Sequence, residues 1–137
     1  MATFSCPTPS HILVPDHLIG LEEVSCTKFI YCVFRFHVDL MRDRAVAFHL
    51  NPRFPENTIV RNSRLQQSWG PEECCLPCGM PLFPGQSFTI NILCKACCFA
   101  VAVNGQHQFE YKHRVPDLQQ IDRLEVHGDV LLTGVRV

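Results

Sequence analysis

Apolar and polar residues alternate with a period of two along much of this chain, and turn-forming residues interrupt the alternation at short intervals. In residues 35–40, Phe36, Val38 and Leu40 fall on one side, and Arg35, His37 and Asp39 on the other. Residues 45–53 repeat the pattern, with Val46, Phe48 and Leu50 apolar and Ala47, His49, Asn51 and Arg53 opposite. A loop at 54–57 leads to a returning strand over 58–63. If Asn62 shares the face of His49, Ile59 and Arg61 point to the core, and Arg61 fits there only by snorkelling its stem out at the edge. Residues 87–94 place Phe88, Ile90, Ile92 and Cys94 on one face. Residues 98–103 run into Asn104-Gly105, a strong hairpin signal, and 108–112 return. Residues 27–36, dense in aromatic and branched side chains, read as one or two strands, and 124–126 and 130–137 close the chain as strands around Gly128-Asp129. Residues 1–10 read as an irregular arm, 66–80 as irregular, and 113–120 as able to hold a short helical turn. Helical periodicity is not sustained anywhere. The expectation is an all-β sandwich or closed sheet occupying 11–137 as one domain.

Composition narrows the function classes. The chain has 137 residues, enough for one core, and 47% of them are hydrophobic. Twelve Lys+Arg against 13 Asp+Glu give a formal net charge of -1, which argues against general nucleic-acid binding. No apolar run approaches the roughly 20 residues that cross a bilayer, so membrane insertion is not expected. The N-terminus lacks a basic start and a continuous apolar run, so a secretory signal is not expected and the predicted location is cytoplasmic. In a reducing compartment, nine cysteines read as free thiols or metal ligands before disulfides.

The chemistry concentrates between residues 45 and 73. Residues i, i+2 and i+4 of a strand project together, so His49, Asn51 and Arg53 converge on one patch. An imidazole, a carboxamide and a guanidinium suit a ligand built of hydroxyl groups. Asn62 on the next strand can join them, and Trp69, the only tryptophan, supplies a flat apolar plate for the C–H face of a sugar. Glu72 can accept from hydroxyls while pairing with Arg53.

The order His49-x-Asn51-Pro52-Arg53, Val60-x-Asn62 and Trp69-Gly70-x-Glu72 resembles the signature of the galectins, β-galactoside-binding lectins. The likeness is greatest to the C-terminal domains of tandem-repeat galectins and to the galectin-nine subgroup. It continues through Phe88 to Val103, Asn104 to His107, Glu110 to Arg114 and Leu124 to Asp129. The resemblance implies a jelly-roll β-sandwich of two antiparallel sheets, the galectin carbohydrate-recognition domain. It implies that His49, Asn51 and Arg53 bond the axial 4-hydroxyl of galactose, that Asn62 and Glu72 bond the 6-hydroxyl, and that Trp69 stacks on the apolar face. Arg53 and Glu72 would also reach the next sugar, as in lactose or N-acetyllactosamine. It further implies glycan and glycoprotein partners, a homodimer as one oligomeric option, and presence in the cytoplasm, in the nucleus and, by a non-classical route, outside the cell. Two positions depart from the pattern. Cys74 stands where many galectins carry an arginine that buttresses the glutamate, and the segment between Gly20 and Arg35 is short and poorly matched. These departures favour, as an alternative, a galectin-like protein-interaction domain with weakened sugar binding.

Cysteine spacing offers a competing reading. Cys75-x-x-Cys78 and Cys94-x-x-Cys97 have zinc-ribbon spacing, which would make the chain a zinc-stabilised module. The alternation gives another role, because Cys94 ends one strand and Cys98 begins the next as small apolar residues. With the lectin reading no metal or cofactor is expected. No G-x-S-x-G, H-E-x-x-H or phosphate-loop pattern occurs, His113 and His127 are scattered, and Glu72 and Glu73 are adjacent, so catalysis is not expected.

Overall fold

The computed structural model describes Ser10–Leu13 and Glu23–Thr27 as backbone strands and residues 35–136 in full. Nine further strands, β3 to β11, follow these first two, β1 and β2. They are β3 (Phe36–Arg42), β4 (Ala45–Arg53), β5 (Thr58–Leu65), β6 (Ser68–Trp69), β7 (Phe88–Cys94), β8 (Cys98–Val103), β9 (Gln106–Lys112), β10 (Arg123–Gly128) and β11 (Leu131–Arg136). One sheet has the order β1-β10-β3-β4-β5-β6 and the other β11-β2-β7-β8-β9, with antiparallel neighbours throughout. A single 3-10 turn at Leu118–Gln120 is the helical element among the described residues. No helix there is long and apolar enough to cross a membrane.

The sandwich forms because alternate side chains of both sheets are apolar. Phe36, Val38, Leu40, Phe48, Leu50 and Ile59 meet Phe88, Ile90, Ile92, Phe99, Val101 and Tyr111 in one buried cluster. Stacked rings tie the layers, Phe36 on Phe88 at 5.4 Å and Phe48 on Phe99 at 5.0 Å. A hydroxyl relay also crosses between them. The Tyr111 hydroxyl lies 2.6 Å from Ser63 Oγ, which donates to the Ala47 carbonyl at 2.8 Å. Both groups are buried, so each satisfies the other where water is excluded.

Expectation and structure differ at four places. Of the residues 27–36, read as one or two strands, only Thr27 at the end of β2 and Arg35 and Phe36 leading into β3 are described. Residues 28–34, like 1–9 and 14–22, lie outside the described residues, and with them most of the irregular arm and of the poorly matched segment. Ser10, expected in the arm, opens β1. In β4 a register shift between Val46 and His49 breaks the alternation, so that Ala47, expected on the polar side, joins Phe48 in the core cluster.

The third difference is Arg61. It does not snorkel. The residue is buried and its guanidinium lies 4.1 Å from the centre of the Phe109 ring. Nη1 donates to the Ile59 carbonyl and Nη2 to the Cys75 carbonyl, both at 2.9 Å. Burial pushes its pKa down, an effect partly opposed by the charge of Glu73. Arg61 also exchanges backbone hydrogen bonds with Glu73, which fixes the chain beyond Trp69 against β5.

The fourth concerns the cysteines. Cys94 and Cys98 flank the β7–β8 turn as expected, Cys94 packing on the core and Cys98 buried. Cys75 and Cys78 follow β6 at the edge of the other sheet, where both are exposed. One C-x-x-C unit therefore lies in the loop after β6 and the other at the β7–β8 turn of the opposite sheet, and no three thiols among the described residues approach closely enough to share one ion. The Asn104-Gly105 hairpin is formed as the sequence predicts, with φ of 49° and 80°.

Candidate carbohydrate site

All six residues singled out from the sequence stand along one groove of about 730 Å³ on the six-stranded sheet. His49 and Asn62 are direct partners across β4 and β5, and Asn51 faces Val60 one step along. This register follows from the short loop between the strands, and it places Asn62 on the face that alternation assigned to His49. Trp69 arrives from β6 with its ring 4.7 Å from the His49 ring, and 49% of its surface is exposed. Glu72 follows in extended chain, its Oε1 3.6 Å from Arg53 Nη2.

Each polar group is held by a partner that leaves a defined valence free. His49 Nδ1 lies 2.6 Å from Asp39 Oδ1. Burial opposes the Asp39 charge, but His37 and His49 more than offset it and hold the carboxyl below its ordinary value. An ionised carboxylate only accepts, so Nδ1 carries the proton and Nε2 is a bare acceptor. Asn51 Nδ2 donates to the Phe36 carbonyl at 2.6 Å, and its Oδ1 accepts from Arg53 Nε at 2.8 Å. One Asn51 N–H and the far edge of the Arg53 guanidinium remain as donors. Asn62 Nδ2 donates to the Gly70 carbonyl at 2.8 Å, leaving one N–H to spare. The groove thus offers two amide donors, a guanidinium, an imidazole acceptor and the Glu72 carboxylate beside an exposed indole. Hydroxyl groups, which donate and accept, match this set.

Arg114 completes the site, although as the end of the motif stretch Glu110 to Arg114 it had no role assigned in the groove. It follows β9 of the opposite sheet. Nη1 donates to Asn62 Oδ1 at 2.9 Å, while Nη2 donates to the Pro71 carbonyl at 2.9 Å and to Glu73 Oε2 at 2.7 Å. Gly70 makes room for it, because a Cβ there would meet Arg114 Nη1 at 2.9 Å and Asn62 Oδ1 at 3.3 Å. Arg114→Ala is expected to lower affinity for a sugar at this site about tenfold, since the Asn62 amide loses a charge-assisted partner. Isothermal titration with lactose checks it. Asp39 and His37 were on the polar face by alternation, but only the β3–β4 register shows that they back His49.

The groove ends at Arg35, His127, Gly128 and Asp129. Gly128 has φ +106°, and a Cβ there would lie 2.7 Å from Phe36 Cα and 2.8 Å from the Arg35 carbonyl oxygen. Gly128→Ala is therefore expected to destabilise the fold by at least about 2 kcal/mol, read by chemical denaturation.

A two-sheet antiparallel sandwich with a polar groove beside an exposed indole is a β-sandwich with a candidate sugar-binding face. The pattern of the galactoside-binding lectins matches residues 28–137, and the chain belongs to that family, the galectins. It is 50% identical to galectin-8 of Rattus norvegicus over 103 residues, which are 74% of this chain and 32% of that protein. It is 36% identical to galectin-4 of Sus scrofa over 140 residues, 98% of this chain and 42% of that protein. The chain spans less than half the length of these relatives. In fold it is similar to Caenorhabditis elegans galectin LEC-6, with a TM-score of 0.82 at 22% identity over 98% of this chain and 94% of that one. Sheep galectin-11 in complex with glycerol gives 0.81 at 24% identity over 96% and 98%. Galectins are carbohydrate-binding lectins, not enzymes.

Proposed function

We propose that the groove binds the terminal galactose of β-galactosides such as lactose and N-acetyllactosamine. In this reading the axial 4-hydroxyl donates to His49 Nε2 and accepts from Asn51 and Arg53. The 6-hydroxyl accepts from Asn62 and donates to Glu72, and the apolar face of the ring covers Trp69. Arg53, paired with Glu72, reaches the second sugar. The observation that carries the reading is the convergence of His49 and Asn51, held by buried partners, with Asn62, held by the Gly70 carbonyl, beside a half-exposed indole. Retention on a lactose column and elution by free lactose test it. Folded protein that passes through the column, with Trp69 fluorescence unmoved by lactose, would remove it.

Cys74 favours a second reading, in which the same groove holds sugar too weakly to be useful and the surface serves protein contact. Cys74 is exposed, and Arg114 pairs with Glu73, leaving Glu72 to Arg53. An arginine at 74 adds at most an exposed ion pair worth about 1 kcal/mol. Under the lectin reading, Cys74→Arg raises lactose affinity less than about fivefold. A gain far above that identifies the weakened site.

A further inference from the structure

We propose that His37, Asp39 and His49 form a binding site for a borderline divalent cation such as Zn²⁺ or Ni²⁺, and that its occupancy opposes galactoside binding. The second half rests on the function proposed above.

The strand register builds the site. His37 and Asp39 are i and i+2 on β3, and β4 sets His49 directly across from Asp39. Both imidazoles turn Nδ1 toward the same carboxylate, His49 at 2.6 Å from Oδ1 and His37 at 3.2 Å from Oδ2. The three potential ligand atoms lie within 4.8 Å of one another, and they are the only such group among the described residues. His37 Nδ1 is buried and, despite that 3.2 Å separation, outside hydrogen-bond geometry. A buried ring nitrogen facing a carboxylate without a formed bond has a valence to fill.

The surroundings hold the rings in place. His37 stacks on His127 with centroids 4.9 Å apart, and His49 leans on Trp69. Glu125, opposite Asp39 on β10, adds a second carboxylate, partly balanced by Arg123 at 3.7 Å. Two imidazoles and a carboxylate select zinc or nickel over magnesium or calcium, and three protein ligands leave a position for water. Ligand–metal distances of about 2.0–2.2 Å require the rings to close slightly on the carboxylate.

The cation acts on the sugar through the tautomer of His49. With Nδ1–H facing Asp39, Nε2 accepts. A metal ion needs the Nδ1 lone pair, so the proton leaves Nδ1 through solvent and the neutral ring carries it on Nε2. Asp39 stays ionised and no net proton is released. Nε2 then donates, as Asn51 and Arg53 already do, and the sugar hydroxyl loses its acceptor. By linkage the sugar weakens the cation equally.

Trp69, the sole tryptophan, reports both events. The exposed thiols Cys74, Cys75, Cys78 and Cys97 are first alkylated so that they hold no metal. Ni²⁺ titration is then expected to quench Trp69 with one saturable midpoint. His37→Ala shifts that midpoint at least about tenfold, as does His37→Gln, which keeps more of the side-chain bulk if the alanine variant folds poorly. His107→Ala, at an exposed histidine on β9 of the other sheet, leaves the midpoint in place. Saturating Ni²⁺ raises the lactose midpoint about tenfold, the worth of one hydrogen bond at a preorganised site. Equal quenching with and without His37, no saturable quenching, or equal loss in His107→Ala would overturn the metal site. An unmoved lactose midpoint would overturn the antagonism. Quenching that depends on His37 in protein that binds no lactose would remove the lectin reading and leave the metal site standing.

Discussion

Trp69→Ala is expected to lower the affinity for lactose by about thirtyfold and to leave the melting temperature almost unchanged. Half of the indole is exposed in the free protein. A pyranose ring laid on it removes on the order of 80–100 Å² of apolar surface from water, worth about 2 kcal/mol, or about thirtyfold in affinity. The same exposure means that truncation opens no cavity, so little folding energy is lost. Isothermal titration gives the first quantity and a thermal melt followed by circular dichroism the second. Lactose affinity within threefold of the parent would show that the sugar sits elsewhere.

Arg61→Ala has the opposite signature, a loss of about 3 kcal/mol of stability and a melting temperature lower by about 10 °C. The substitution removes the side-chain donors to the Ile59 and Cys75 carbonyls and the cation from the Phe109 ring. Arg61→Met loses less, about 1–2 kcal/mol, because the stem still fills the space and no buried charge must be desolvated. Denaturation in urea ranks the three proteins, and an alanine variant as stable as the parent would mean that the buried guanidinium is neutral in folding. The loss is also expected to reach the groove, since the Arg61 side chain ties the chain just beyond Glu72 and Glu73 to β5 through its bond to the Cys75 carbonyl.

The sequence carried the period-two strands well, because burial on one side forces alternation. β4 spans Ala45–Arg53 as its pattern predicts, and the Asn104-Gly105 turn falls where its dipeptide places it. The six candidate residues were readable because they lie on adjacent strands joined by short connections. Arg114 was not readable, since it comes from the other sheet and meets Asn62 across 52 positions of sequence. The burial of Arg61 was likewise hidden, because the carbonyls that receive it belong to a loop whose path follows no periodicity. Ala47 shows the limit of alternation itself, because one extra residue in a strand exchanges inside for outside and leaves no mark in composition. The paired C-x-x-C units show the same limit from the other side, since a spacing that fits a metal says nothing about which sheet each half joins.

Gly70 points no side chain at the groove, yet the space above its α-carbon is the space that Arg114 occupies on its way to Asn62. A side chain at 70 would push the far end of Arg114 off its place beside Asn62. A side chain gained at 70 would therefore weaken the brace behind Asn62 with all six groove residues still in place. A lineage that gives up the arginine would keep every one of its six groove residues while losing the brace behind Asn62.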